Sequence, residues 1–539
     1  MPHESVTERH QRYEHARGRM QNWHSMLRDA YQFTLPNRND FDQVQERGQA
    51  RNNKIYDSTA VEGVQLFASN MQTILMPPFK RWASLQTGDA IPVALKDHFQ
   101  DELDDITEKL FKQFNASNIA DAVNESLQEL CIGTGVMMLY EGSQSKPLQF
   151  VSVPLSEIVL EEGPFGTLEN FWRQWEIPAR RVLREWPKAK LSSQLASRVK
   201  NAPDDKVKLI ESCLYYPDQP EGRQYYYSVY GEDDRKEIVS EWRDYTPLIA
   251  YRWARATREI LGRGPVIQAL SFIKVLNKLT ELILRGGTLR SITPLLANSA
   301  GVLNPYNVKI EPGSIITVEP VAGGSALEPL DLGKEPQFAQ LSVEQLQTQI
   351  KEMLFSNPLP QQVEAGNKSA TEVSLMQQNW MRKNASAFGR LLRELLNPII
   401  EKSLIILRRK GIIPDVVIDG KEIHIEYQSP IAKLQQQEDL QNGLAFVQTM
   451  TGLYGQEGLG AINNEEFPEW VAKQMEVPDE IVNQGWKTSP FVQNIMNLIN
   501  HGPPQQQAEQ IGQPATPQSQ DELLADIGNL VPQPGTQQA

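Results

Sequence analysis

The sequence predicts an α+β protein that is mostly helical. The first observation is the run over residues 265–290, where apolar side chains fall on most faces of a helix that neighbours must therefore bury. The second is a helix, a proline-broken polar loop and a longer helix between Ser342 and Gly411. The third is a set of short β-prone runs, separated by turn residues, within residues 149–250.

Before the β-prone runs, the chain alternates between helical patterns and polar segments. Thr59 and Glu62 match a capping box at the start of one helix, and Pro77-Pro78 end it. The predicted elements are a helix over residues 1–35, a polar arm over 36–55, helices over 59–76 and 93–130, and a strand pair or bulged strand over 131–140.

Residues 149–250 combine strands with a short helix, which gives the first half its α+β character. The predicted elements here are strands over 150–153, 207–216 and 225–230, and a helix over 179–186. The next helix begins at Pro265, since proline is acceptable in a first helical turn.

Two Ser-x-x-Gln/Glu capping boxes, at Ser342 and Ser369, mark predicted helix starts. Between these helices, residues 356–368 contain two prolines and one glycine and form the predicted loop. Pro398 lacks an N–H group and should kink the second helix, and Gly411 is placed to end it. A loop held between two rod-like helices suggests a mechanical part rather than an enzyme pocket.

Alternation over residues 422–427 predicts a half-buried strand, and residues 436–500 return to helix. From residue 501 onward Gln and Pro dominate, which predicts a disordered tail.

Composition excludes several classes of protein. A formal net charge of −14 argues against a generally basic nucleic-acid coat, although local contacts with DNA depend on charge distribution. The sequence has two cysteines, Cys131 and Cys213, which argues against a disulfide framework and favours a reducing compartment. We expect a soluble, non-secreted protein because no signal-peptide core or bilayer-length apolar run occurs.

The sequence carries no enzyme signature. The pairs Gly133-Thr-Gly135 and Gly262-Arg-Gly264 are too short to predict phosphate binding, and no Walker motif occurs. His10 and His15 lie five residues apart on a polar helix, which is not the spacing of a zinc helix. No cofactor, metal site or catalytic residue is predicted.

Three segments resemble the head-to-tail connector, or portal, proteins of short-tailed bacteriophages. They are Asn53–Ala60 with Ala68-Ser69 and the Pro77-Pro78…Trp82 ending, Gly262–Pro265 followed by Leu276–Leu279, and Ser369–Val373 at the head of a long helix. Their order and spacing suit that family over most of residues 1–500.

The resemblance implies a portal fold with wing, stem, clip and crown regions, assembling as a ring around a central channel. The implied regions are the wing (1–261), stem helix 1 (262–290), the clip (291–341), stem helix 2 (342–355), the tunnel loop (356–368), the long kinked helix (369–411), the wing strand return (412–435), the crown helices (436–500) and the tail (501–539).

The implied function is a non-enzymatic channel at one capsid vertex of the virion, through which DNA is packaged and ejected. Portal proteins typically form rings of twelve subunits. The implied partners are further copies of the chain, double-stranded DNA, a terminase motor, a tail adaptor protein, scaffolding and major capsid proteins and internal core proteins, with no membrane. The candidate DNA-channel residues are Asn367, Lys368, Arg382 and Lys383, and Pro398 is the candidate kink.

Other interpretations of these cations and of the whole protein stay open at this point. Arg382, Lys383, Arg390 and Arg393 would equally serve as ordinary solvated charges of a helix, unless the protein is a ring. A different virion component, such as an adaptor or internal core protein, is the first rival hypothesis. A cytosolic α+β hydrolase with a cryptic site is the second, and it predicts a monomer or small oligomer.

Overall fold

In the computed structural model, the chain divides into two compact units, Met1–Gln436 and Gln437–Ala539. The structure describes residues 4–38, 41, 53–88, 93–163, 166–220, 222–291, 295–297, 327–329, 337–355, 385–414, 423–427, 440, 443–450, 452–453 and 467–474.

Helices and strands alternate along this part of the chain. The helices are α1 (Val6–Thr34), α2 (Thr59–Leu75), α3 (Val93–Ala116), α4 (Ile119–Ile132), α5 (Ala179–Glu185), α6 (Ser193–Asn201), α7 (Pro265–Ser291), α8 (Gln337–Met353), α9 (Asn397–Arg409) and α10 (Phe467–Gln474). The strands are β1 (Ala83–Thr87), β2 (Thr134–Glu141), β3 (Leu148–Ser152), β4 (Ile158–Glu162), β5 (Leu168–Pro178), β6 (Lys206–Tyr215), β7 (Tyr225–Gly231), β8 (Glu237–Arg243), β9 (Leu248–Arg252), β10 (Leu295–Ala297), β11 (Leu327–Pro329) and β12 (Ile423–Tyr427).

The largest sheet has five antiparallel strands in the order β4-β5-β6-β7-β8. Helix α1 packs on β4, and its Tyr13 ring lies 6.3 Å from the fully buried Trp172 of β5. Arg9 of α1 is also buried, and its guanidinium donates to Ser228 on β7 and pairs with Glu237 on β8. Helix α1 is therefore joined to this sheet by apolar packing and by paired charge.

A second sheet, in the order β3-β2-β9, carries α4 against it. A carboxylate is buried here: Glu129 of α4 accepts from Tyr31 Oη at 2.8 Å and from the amide of Leu155 at 3.2 Å. Burial raises the pKa of Glu129 to about 7, even though the hydrogen bonds and Arg38, 3.8 Å away, favour its charged form. The carboxylate is held where it titrates near neutrality.

The structure confirms the main helical prediction, because α7 extends over Pro265–Ser291. The strand predicted over 422–427 is also confirmed as β12, which pairs antiparallel with β1 of the first half of the chain. Gly411 has a φ of +67° just beyond α9, as expected for a residue that ends a helix.

Three local predictions were wrong. Residues 131–140 form the end of α4 and most of one strand, β2, which pairs in continuous register with β3 and β9, rather than a strand pair or a bulged strand. Helix α8 begins at Gln337, so Ser342 lies inside the helix rather than at its cap. Helix α2 does begin at Thr59, but its N-cap residue is Ser58, and the amide of Thr59 bonds Asp57 instead of forming the proposed box.

The second unit contributes helical residues 443–450 and 452–453 and α10. Gly443 lies so close to α10 that a Cβ there would come within 2.6 Å of the Trp470 ring. In the part of the chain that the structure describes, no helix combines the length and apolarity needed to cross a membrane.

Candidate functional site: helices α7 and α8 and the Trp253 junction

A contact between two backbone segments fixes the start of α7. The amide of Gly262 donates to Thr134 Oγ1 at 2.8 Å, and the amide of Gly264 donates to Ile132 O at 2.8 Å. A Cβ on Gly133 would lie 2.0 Å from Gly262 O, so no side chain fits between the two segments. These short glycine pairs therefore serve close packing between the sheet region and α7.

Asn277 joins α7 to the segment before α2. Its side-chain oxygen accepts from the amides of Tyr56 at 2.7 Å and Asp57 at 3.3 Å, and its Nδ2 donates to Lys54 O at 2.9 Å. The carboxylate of Asp57 in turn accepts from Gln347 of α8 at 2.8 Å. Two of the segments that resemble connector proteins, Asn53–Ala60 and Leu276–Leu279, thus meet in one polar cluster.

The inner sides of α7 and α8 pack together. Ile350 and Leu354 are fully buried at the end of α8. Val343, Leu346 and Met353 are partly buried against the same core. The apolar seam that the sequence predicts for this helix is therefore confirmed as a packing surface.

The outer side of α7 carries apolar residues that this subunit leaves exposed. Phe272 is 41% exposed, Val275 is 56% exposed and Leu282 is 54% exposed. With the partly buried Leu279 they recur at spacings of three and four, which places them on one stripe of the helix. We call these four residues the outer stripe. The expectation that α7 is buried on most faces is not met within one subunit.

Trp253 lies where the chain leaves the sheet region, and two distant segments meet on it. The rings of Phe67 and Phe355 lie 5.4 Å and 5.5 Å from its ring. The guanidinium of Arg390 donates to its backbone oxygen at 3.0 Å. Residues 356–384 lie outside the described part of the chain, but both borders of that segment therefore converge on the Trp253 junction.

An ion pair fixes the helical residues that follow this segment, which run over 385–391 and continue into the turn Leu392–Leu396. Arg252, 2% exposed, pairs with Glu394 at 2.8 Å and with Glu162 at 3.3 Å. The amide of Arg252 also donates to Glu394 at 2.9 Å. Glu394 lies in a π-helical turn, Leu392–Leu396, and this turn is thereby held against β9.

Pro398 occupies the second position of α9, directly after the π-helical turn. Proline removes one helical hydrogen bond and its ring crowds the preceding turn, so an irregular turn at this position has a physical cause. The π-helical turn therefore lies next to Pro398, the residue at which the sequence predicts a kink. A bend joining two regions of a ring stays a prediction.

The four candidate DNA-channel residues, Asn367, Lys368, Arg382 and Lys383, lie outside the described residues, and their role stays a prediction. Sequence reasoning did not single out Trp253, Glu394 or Asn277 as functional residues. A signal existed for Asn277, since it is one of two side-chain amides, with Gln268, within an apolar helical run. No signal in the sequence connects Trp253 with residues more than a hundred positions away. Among the described residues, no group of side chains could hold a metal ion.

Comparison with known proteins decides the family. The sequence model of the bacteriophage head to tail connecting protein family matches residues 6–482, which is most of the chain. The chain belongs to this family. A connector is a structural protein of the virion, located where head and tail meet, and is not an enzyme.

Individual relatives agree with the family assignment. The portal protein of Salmonella phage epsilon15 is 23% identical over 434 residues, covering 76% of this chain and 75% of the phage protein. The probable portal protein of Bordetella phage BPP-1 is 21% identical over 499 residues, covering 88% of each chain.

Solved structures of gene transfer agent particles are more distantly similar. A chain in the neck of an empty particle is 12% identical with a TM-score of 0.37, covering 78% of this connector and 92% of that chain. A chain from the native virion is 10% identical with a TM-score of 0.32, covering 81% and 91%. Portal proteins, to which the phage relatives belong, assemble as rings in phage necks.

Proposed function

We propose that this connector forms a closed ring of identical subunits, twelve by analogy with its family, whose central channel carries double-stranded DNA during packaging and ejection. Residues 262–290, which include most of α7, and residues 342–355, which include most of α8, would form the stem. Residues 291–341 would form the clip, and residues 436–500 the crown. The implied partners are a terminase motor, a tail adaptor, scaffolding and capsid proteins, and internal core proteins.

The outer stripe of α7 is the observation that carries this proposal. Its exposed side chains are large and apolar, and their spacing of three and four is the pattern by which one helix packs against another. A neighbouring copy of the chain would remove this surface from water. In a closed ring every subunit gains the same neighbour, so no copy of the stripe is left uncovered.

Helix geometry supports a channel of useful length. The 27 residues of α7 span about 40 Å at 1.5 Å per residue. Both borders of the segment that contains the predicted tunnel loop converge on the Trp253 junction, which is continuous with the end of α8. The described residues on both sides of segment 356–384 are thus held at one junction, which supports a loop that contacts DNA from a defined place.

Assembly is tested by placing charge on the outer stripe. We expect Val275→Asp with Leu282→Asp to leave a folded subunit but to abolish rings, because burying a carboxylate in an apolar contact is costly. Native mass spectrometry and particle imaging measure the outcome. Leu183→Asp, at a wing position that is 41% exposed, is the control and should still form rings. Normal rings from the double variant would contradict the proposal.

The tunnel loop is tested separately. Deleting residues 358–367 should leave rings intact but impair DNA packaging or retention, and Lys368→Gln should have a smaller effect of the same sign. Counting filled and empty particles measures both. A normal yield of filled particles from the deletion would remove the loop from the mechanism.

A further inference from the structure

Four arginines surround the Trp253 junction, at the borders of the segment 356–384. Arg252 and Arg255 precede and follow Trp253, and Arg390 and Arg393 come from the helix beyond the segment. Two carboxylates are present with them: Glu394, paired with Arg252, and Glu162, which lies 3.3 Å from Arg252 and 2.6 Å from Arg255. Two positive charges are therefore left without a neutralising partner.

The unneutralised charges belong to Arg390 and Arg393. Arg390 is partly buried and donates to the neutral backbone oxygen of Trp253. Arg393 is exposed, and the hydrogen bond that the structure gives it runs to Gly389 O of its own helix at 3.4 Å. Among the described residues, neither forms an ion pair with a carboxylate.

The direction in which the pKa of Arg390 is changed agrees with this excess of positive charge. Burial lowers the pKa of its guanidinium. Glu394 opposes that change, while three neighbouring guanidinium groups add to it, those of Arg252, Arg393 and Arg255. An anion bound between Arg390 and Arg393 would relieve this repulsion.

We propose that Arg390 and Arg393 form a site for phosphate groups, and that its ligand is the phosphodiester backbone of DNA. The guanidinium fork matches two phosphate oxygens at once, which makes arginine suited to this ligand. The site lies at the Trp253 junction, beside the described residues that border segment 356–384, so in the proposed ring each subunit would offer one such contact. The identity of the ligand as DNA rests on the proposed function, whereas the binding of a phosphate group by the two arginines does not.

The site differs from a tight DNA-binding surface. Arg252 and Arg255 are already engaged by carboxylates, so two cations per subunit face the ligand. Few phosphate contacts give weak binding that falls with salt, which is compatible with a polymer that must move.

The experiment compares the full-length wild-type chain with Arg393→Gln, Arg390→Lys and their combination. Arg393→Gln changes a side chain that contacts its own helix, and Arg390→Lys keeps a donor for Trp253 O, so both should fold. Arg181→Gln, an exposed arginine paired with Glu185 at 2.8 Å, is the matched control. Binding of a short DNA duplex is measured by fluorescence anisotropy at several salt concentrations, and binding of inorganic phosphate by calorimetry.

We expect the combined variant to bind duplex about tenfold more weakly at low salt. The slope of log affinity against log salt should fall by about one for each phosphate contact removed. The control should match wild type. If the variants lose phosphate binding while duplex binding is unchanged, the ligand is free phosphate; if neither changes, the proposal is overturned.

Scoring rings and filled particles in parallel separates the two hypotheses. Intact rings that package DNA, with duplex and phosphate binding unaffected by the substitutions, would overturn this site and leave the proposed function standing. Failure of the wild-type chain to form rings would overturn the proposed function, while the phosphate measurement would still judge the anion site.

Discussion

In the sheet region (β2 to β9), most large apolar side chains are covered by other parts of the same chain, whereas α7 leaves a row of them exposed. Trp172, Phe171 and Tyr251 are completely buried within one subunit. Val275 and Leu282 of α7 are more than half exposed. The apolar core of the sheet region is therefore covered within a single subunit, whereas the outer stripe of α7 is not.

Many polar groups of the sheet region are also paired within the subunit, whereas some charged groups beyond α8 lack an ion-pair partner in the described part of the chain. In the sheet region, the buried Glu211 accepts hydrogen bonds from Tyr140 at 2.9 Å and from Tyr227 at 2.8 Å. Beyond α8, Arg390 and Arg393 lack carboxylate partners among the described residues. In the proposed ring, the groups that stabilise the subunit would thus be different from those left for partners.

The largest expected effect is in the sheet region. Trp172→Ala should lower the free energy of unfolding by about 3–5 kcal/mol, since it removes a fully buried aromatic ring and leaves a cavity. Urea denaturation of the unassembled subunit measures the change. Leu183→Ala, at an exposed site of α5, is the control and should change stability by less than about 1 kcal/mol. A small loss from Trp172→Ala would contradict the idea that the sheet region is complete within one subunit.

A pH-dependent effect should come from the buried Glu129. Because its pKa is raised to about 7 in the folded state, the folded state binds more protons than the unfolded state between its ordinary pKa of 4.5 and pH 7. Stability contributed by protonated Glu129 is thus present below about pH 4.5 and is lost as pH rises through 7, by roughly 3 kcal/mol in total.

Glu129→Gln should remove this component, so that the variant gains stability relative to wild type between pH 5 and pH 8. Urea denaturation at both values measures it. The control is Glu125→Gln on the same helix, whose carboxylate is 54% exposed. Parallel pH profiles for Glu129→Gln and wild type would show that the carboxylate does not titrate in this range.

The smallest expected effect on folding is in α7. Leu282→Ser should change the unfolding free energy of the unassembled subunit by about 0.5 kcal/mol or less, because its side chain is already 54% exposed. The same substitution should raise the protein concentration needed for assembly, which light scattering measures. A loss as large as that from Trp172→Ala would mean that α7 is completed within the subunit after all.

Much of the fold follows from local patterns. Helix α7 was predictable because its apolar run is long and begins at Pro265, and β12 because its alternation is strict. The start of α8 was not, because Ser342 matches a capping box although the helix already begins at Gln337. A capping motif shows that a side chain could cap the start of a helix. The surrounding structure decides whether the helix begins at that residue or before it.

The sequence by itself determined the fold class, the long apolar helix, the lack of an enzyme signature and the resemblance to connector proteins. Only the tertiary structure decided that Asn277 hydrogen-bonds to a second segment that resembles connector proteins. It also decided that Phe355 and Arg390 meet at Trp253, and which stripe of α7 stays exposed. The physical reason is distance along the chain. Periodicity and capping act over a few residues, whereas these contacts join residues far apart, and only the packed chain fixes which of them meet.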